Sequence, residues 1–260
     1  MRRNGARMSD DLDPDDLEID INLRAPAEVA ARALIVGAVC RRGFLEQPDG
    51  GIETDDPEAD RFDLGAWLRD EGVDPLATPA ERRLIETRLG RLPDGDAEAA
   101  TWQVEGLVAL CWALNLLTNA PPYDSPAIPG AVFALVPSPW DKTGAFRGQA
   151  VLRTEAEIAV ERERAELWHW RAGIADLLLG ATGRGAAGLR RVIRDVAEDA
   201  ARGGVFAEPA GHDFPVNGRP YHHLDDAGHA VLAGLAAERL RALNWLCGFG
   251  ADWDHVPIDA

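Results

Sequence analysis

The stretch Thr101–Leu117, TWQVEGLVALCWALNLL, decides how this chain is read. Plotted at helical periodicity, Val104, Leu107, Leu110, Cys111 and Leu114 make one broad stripe. Trp112 and Leu116 fall on the opposite side, with Val108 at the border. A helix that is apolar all round is buried all round, and this one is too short and too interrupted to span a bilayer. It reads as the central core helix of a helical domain. One residue in it is out of place, the carboxylate of Glu105.

Working outward, start and stop signals place about seven helices. Pro26 sits in a first helical turn, with Glu28 near the positive helix end, and the helix runs to about Arg42. Residues 47–60 read as a polar loop, and Phe62–Glu71 as a short helix stopped by Gly72. Thr78-Pro79-Ala80-Glu81 carries an N-cap, an N1 proline and the glutamate of a capping box, opening a helix to about Leu89. The six prolines of residues 119–150 predict no helix, with Ala131–Val136 as a short extended piece. Thr154 and Glu157 form a second capping box for a helix to about Leu179, and Leu189–Ala201 is amphipathic. Asn217-Gly218 marks a turn, and the last helix runs from about Asp225 to Gly248. The fold class is therefore mainly α: residues 23–260 form one helical domain, and residues 1–22 form a disordered acidic tail.

The net charge is −17, with seven acids in residues 9–20 and six in residues 47–60. Short acidic runs poor in aromatics are solvated tails or loops. The balance argues against a nucleic-acid partner, which needs clustered cations, and suits a basic protein partner. Three cysteines, Cys40, Cys111 and Cys247, lie in apolar helical contexts without framework spacing, as reduced thiols in a cytoplasm would. No secretory signal is visible, no membrane span is expected, and Met1 and Met8 both offer starts.

The last helix holds a second misplaced charge. Arg239 falls in the middle of the stripe of Leu232, Leu235, Ala236, Leu243, Leu246 and Cys247. A buried ion must be paired, so Arg239 and Glu105 are expected partners, with Asp254 and Asp259 as rivals.

Three blocks together resemble the domain of unknown function family 4272. They are Trp102-x-x-Glu105-Gly106-Leu107 continuing to Leu114, Glu166-Leu167-Trp168-His169-Trp170-Arg171, and Glu238–Cys247 followed by Trp253-Asp254 and Val256-Pro257-x-Asp259. The resemblance covers residues 24–259. It implies a bacterial, soluble helical domain and no reaction, since the family has no assigned activity. The chain departs from the family pattern at Gln103 (usually arginine), at Asn115 (usually glycine), and at Ile258 and Ala260 (usually threonines).

No motif names a reaction. Gly183-Arg184-Gly185-Ala186-Ala187-Gly188 matches G-x-G-x-x-G but follows a helix where a dinucleotide site needs a strand. His222, His223, Asp225, Asp226 and His229 cluster near a helix start. Asp225 and His229 are i, i+4, so His223, Asp225 and His229 are weak metal candidates without a standard ligand spacing. Cys247 sits on an apolar stripe, unlike a reactive thiolate, and no serine occupies a nucleophile elbow. No cofactor is implied.

What remains is a constellation of Trp102, Glu105, His169, Arg171, Glu238, Arg239, Asn244, Trp253, Asp254 and Asp259, expected as a structural network that fixes helix register. The same groups would serve acid/base chemistry, with Glu105, Arg239 and Asp254 as catalytic candidates. Two functions are thus carried forward. The first is a non-catalytic domain acting through protein contact. The second is a small-molecule hydrolase or transferase, which requires Glu105, Arg239 and Asp254 to converge on a water-accessible cleft.

Overall fold

The structure, a computed structural model, describes residues 21–47 and 54–258. The tail expected over residues 1–22 lies almost wholly outside the described residues. Ile21 and Asn22 instead belong to the packed structure. Ile21 packs on the core and the Asn22 amide donates to the Cys247 carbonyl at 3.2 Å.

The chain is mainly helical. Helix α1 (Pro26–Phe44) is buried without interruption from Val29 to Cys40. It packs on α2 (Pro57–Asp70), α3 (Pro79–Glu86), α4 (Asp96–Trp102) and α5 (Val104–Ala113). Two short helices, α6 (Pro129–Phe133) and α7 (Gly144–Gly148), follow in the proline-rich connection. Helix α8 (Glu155–Gly180) carries α9 (Gly183–Arg202) on one side. Helix α10 (Asp226–Leu246) lies between α5 and α8. A two-stranded hairpin, β1 (Pro215–Val216) and β2 (Arg219–Pro220), turns at Asn217-Gly218, both with positive φ.

The centre is shared between α1 and α5. One face of α1 joins α5, α8 and α10 in a large apolar cluster; the other joins α2 with Val73, Ala77, Ile85 and Ala100. Two glycines permit the closest crossings. A Cβ at Gly43 would meet the Ala97 carbonyl at 2.8 Å and the Ala100 Cβ at 2.9 Å, so α1 and α4 touch through backbone. At Gly106 it would meet the Glu238 carbonyl at 3.3 Å, where α5 crosses α10. No described helix is long and apolar enough to cross a membrane.

The expected central helix 101–117 is divided. It breaks at Gln103 between α4 and α5, where the Thr101 hydroxyl donates back to the Glu98 carbonyl at 2.7 Å, a bond that competes with the helical ladder. It ends at Ala113, not Leu117. Asn115 takes φ 60, its amide donates to the Trp112 carbonyl, and the Leu116 amide to the Cys111 carbonyl, which is a Schellman closure. Arg153 seals this end by donating to the carbonyls of Trp112, Leu117 and Thr118.

Other boundaries also differ. Helix α2 begins within the expected loop 47–60, because Asp56 caps the Ala59 amide and Pro57 fills the first turn. The extended piece at 131–136 is instead α6, opened by Pro129, so proline starts a helix there instead of excluding one. The glycine-rich 183–188 segment forms the first turns of α9. Both capping boxes, Thr78/Glu81 and Thr154/Glu157, are formed as read.

Candidate functional site

Glu105 and Arg239 meet. Arg239 donates from Nε at 3.0 Å and from Nη2 at 2.7 Å to Glu105 Oε2, and from Nη1 to the carbonyls of Pro121 and Pro122. Glu105 Oε1 accepts from the Ala127 amide at 2.8 Å, and the guanidinium lies 4.9 Å over the Tyr123 ring. Both side chains are excluded from solvent, at 1% and 0% exposure. The pair ties the proline-rich connection to α5 and α10.

Beside it, Tyr123 stacks on Trp168 at 5.7 Å, and Glu161 holds Arg164 at 2.8 Å. Burial pushes the Glu161 carboxyl above its ordinary range, with Arg164 opposing. Burial and the charge of Glu161 push the Tyr123 hydroxyl well up.

Asp254 does not converge on this pair, contrary to the expected triad. It is exposed and accepts from the Thr78 hydroxyl at 3.1 Å, joining the C-terminal segment to the α3 cap. Trp253 is buried between the guanidiniums of Arg32 (5.2 Å) and Arg241 (4.5 Å), and Arg241 pairs with Glu238. Arg32 forms a buried pair with Glu81, the capping-box glutamate, at 2.7 and 2.8 Å.

Asn244 bridges Arg162 Nε at 2.7 Å and the Pro257 carbonyl at 2.8 Å. Trp102 packs over Gly234. His169 is half-buried and makes no side-chain hydrogen bond among the described residues. Asp259 lies outside the described residues. The constellation read from the sequence is therefore several separate clusters.

The remaining member, Arg171, stands in a different place. It is fully buried on α8, donating from Nε at 2.7 Å and from Nη2 at 2.8 Å to the two oxygens of Asp213. Asp213 Oδ1 also accepts from the Phe214 amide, and Oδ2 from the His222 amide. Oδ2 further contacts His222 Nδ1 at 2.8 Å. Burial alone would raise the Asp213 carboxyl. The hydrogen bonds and charge of Arg171, with His222 and the Phe214 amide, outweigh it and hold Asp213 below the usual carboxylate range.

An ionised carboxylate only accepts, so His222 Nδ1 donates, and the neutral ring keeps Nε2 as a bare acceptor. The His222 side chain is 51% exposed, so this relay runs from a buried guanidinium to an open imidazole. His223 stacks edge-on against it at 4.6 Å.

A second histidine is fixed alongside. His229 Nε2 contacts Asp176 Oδ1 at 2.9 Å, and its Nδ1 contacts the Tyr221 hydroxyl at 3.0 Å. Asp176 accepts, so the Nε2–H donates to it and Nδ1 accepts the Tyr221 proton. Burial pushes the Tyr221 hydroxyl up to about 12, against Arg171, whose guanidinium lies 4.3 Å over the ring. The three residues named as weak metal ligands are thus used otherwise or stand apart: Asp225 caps the Gly228 amide, His229 spends both nitrogens, and His223 is exposed. No metal-binding group of three such side chains occurs among the described residues.

Arg171, Asp213, Tyr221, His222 and His229 line a cavity of about 730 Å³ between the C-terminal half of α8, the face of α9 turned towards it and the segment 211–229. Arg190, Arg191 and Arg194 of α9 face it from one wall; Leu178, Ile193 and Leu224 supply apolar surface. A smaller cavity of about 270 Å³ lies among Arg24, Arg32, Thr78, Trp245 and Trp253. Sequence reading missed Asp213, Tyr221, Asp176 and the α9 arginines as site residues. The available signals were Arg171 in a family-like block and the histidine cluster at 222–229.

The three cysteines are free and buried. Burial raises Cys40 well above a usual thiol, Cys111 to about 12 and Cys247 to about 11, so none is a poised thiolate.

Searches of curated proteins and of solved structures return no match. The family model described as domain of unknown function (DUF4272) matches residues 1–177. That segment contains the first two blocks, with Glu105 and Arg171, and ends near the close of α8. The third block, 238–259, lies beyond it, as do Asp213 and His222. With 177 of its 260 residues matched, the chain belongs to the DUF4272 family.

Proposed function

We propose that the protein acts on a small molecule held in the α8–α9 cleft, with His222 taking up and returning a proton. The observation that supports this best is the Arg171–Asp213–His222 relay. A buried guanidinium fixes a buried carboxylate, which fixes a half-exposed imidazole on the wall of a 730 Å³ cavity. A general base needs an oriented acceptor within reach of substrate, and its orienting group makes the arrangement specific. The volume suits a small-molecule site. The reading is hydrolysis or group transfer through a carboxylate–arginine cluster, located at Arg171 and Asp213 and not at Glu105, Arg239 and Asp254.

The test is to incubate the protein with a small-molecule extract and follow each species by mass spectrometry. Compounds consumed by the wild type and spared by His222→Gln, with His223→Gln still active, are the expected result. Consumption unchanged in His222→Gln rules the reading out.

A second reading, a non-catalytic domain that contacts a basic protein, is supported by the net charge of −17. It expects the purified chain to retain a specific basic partner in a salt-sensitive manner. A cytoplasmic setting is supported by the three buried free thiols.

A further inference from the structure

The cleft combines cationic and apolar side chains on both helices, and this bears on what it receives. The chain carries a net charge of −17, yet four arginines line this one cavity: Arg171, Arg190, Arg191 and Arg194. Arg194 is paired with Asp195 at 3.1 Å, and Arg171 with Asp213. Arg190 and Arg191 are exposed and form no ion pair among the described residues.

Arg171 has a further property. It is completely buried, and its Nη1 is without a hydrogen-bond partner while Nε and Nη2 are both satisfied. A buried donor of a charged group is ordinarily paired. Arg171 lines the cavity, and of the acceptors that could complete Nη1 an anionic oxygen serves a guanidinium best.

The cleft also holds three acids. Asp213 is engaged by Arg171 and His222, while Asp225, which caps the Gly228 amide, and Asp226 stand together at the α10 start. Apolar surface is supplied by Leu178 and Leu179 of α8, Ile193 of α9 and Leu224.

We infer that the cleft takes an organic oxyanion with an apolar body, its charged head held by Arg190 and Arg191 beside the buried Arg171 guanidinium and its body on Leu178, Leu179, Ile193 and Leu224. This rests on the small-molecule reading of the same cleft and names the substrate class for it. An inorganic anion would satisfy the arginines alone, and a neutral amphiphile the apolar side chains alone. The inferred ligand uses both.

Isothermal titration calorimetry on the full chain tests it with four probes: octanoate, butanoate, 1-octanol and inorganic phosphate. Octanoate is expected to bind saturably at one site, at least tenfold tighter than butanoate because four further methylenes are buried, and at least tenfold tighter than octanol or phosphate. The double variant Arg190→Gln/Arg191→Gln, both exposed and without a folding role, is expected to weaken octanoate at least tenfold. Leu179→Gln, also exposed, is expected to weaken octanoate and leave phosphate unchanged.

Octanoate that fails to saturate, binds the double variant equally well, or is matched by octanol or phosphate overturns the inference. Calorimetry reads binding without turnover, so the two readings fail separately. Loss of the octanoate site leaves His222-dependent turnover standing. Turnover independent of His222 with octanoate still bound counts against His222 as base alone.

Discussion

Arg239 and Glu105 are 134 residues apart in the chain and meet at 2.7 Å with neither side chain touching water. Removing one member strands the other in a dry core. Glu105→Gln or Arg239→Met is each expected to destabilise the fold by about 3–5 kcal/mol. The double variant is expected to lose clearly less than the sum of the two, because the stranded charge is gone. Urea denaturation of the four proteins checks this. Asp254→Asn is the contrast, since that carboxylate is exposed and contacts only Thr78. It is expected to stay within about 0.5 kcal/mol of wild type. Additive single effects, or an equal cost at Asp254, contradict the assignment of the buried pair.

Asp213 and Glu161 are buried acids shifted in opposite directions, so they act on stability at opposite ends of the pH scale. Asp213 is held below its ordinary value. Its contribution is complete above about pH 4 and is lost as pH falls through the lower folded value. Glu161 is raised, mainly by burial. Its contribution is complete below about pH 4.3 and is lost as pH rises through the higher folded value. Denaturation from pH 3 to 8 is expected to show Asp213→Asn flattening the acid limb and Glu161→Gln removing the decline above it. Slopes identical to wild type in both variants contradict the two shifts.

Helix α5 stops because Asn115 accepts a left-handed backbone, φ 60. Asn115→Ala places a Cβ-bearing residue with no local polar compensation there, and also removes the side-chain bond to the Val151 carbonyl at 3.2 Å. A loss of about 1–2 kcal/mol is expected in thermal or chemical denaturation. Asn115→Gly is expected to cost less than the alanine change, because glycine adopts this conformation freely. The reverse order contradicts the Schellman closure.

The parts of the fold that were legible in the sequence are those with a local physical signal. Thr78 and Thr154 announce their helices because each capping box needs only residues three apart. Glu105 and Arg239 could be matched because each interrupts an apolar stripe, and a buried charge demands a partner.

The end of α5 was half-legible. Asparagine is one of the residues that a left-handed C′ position accepts, yet the apolar run to Leu117 outweighed it. Helices α6 and α7 span five residues each, too short for any periodicity to register. The cleft was least legible. Asp213 and His222 lie in an irregular segment where polar residues break no pattern, and their meeting with Arg171 depends on how α8 and the hairpin pack.

The most direct test of the site is the tautomeric state of its two histidines. Long-range proton–nitrogen correlation spectra, recorded near pH 8 where an ordinary histidine is neutral, resolve which ring nitrogen carries hydrogen. His222 is predicted in the Nδ1–H form, with Nε2 bare, and His229 in the opposite Nε2–H form, bonded to Asp176. Finding His222 as the Nε2–H tautomer, or averaging between the two forms, would contradict the Arg171–Asp213–His222 relay on which the site rests.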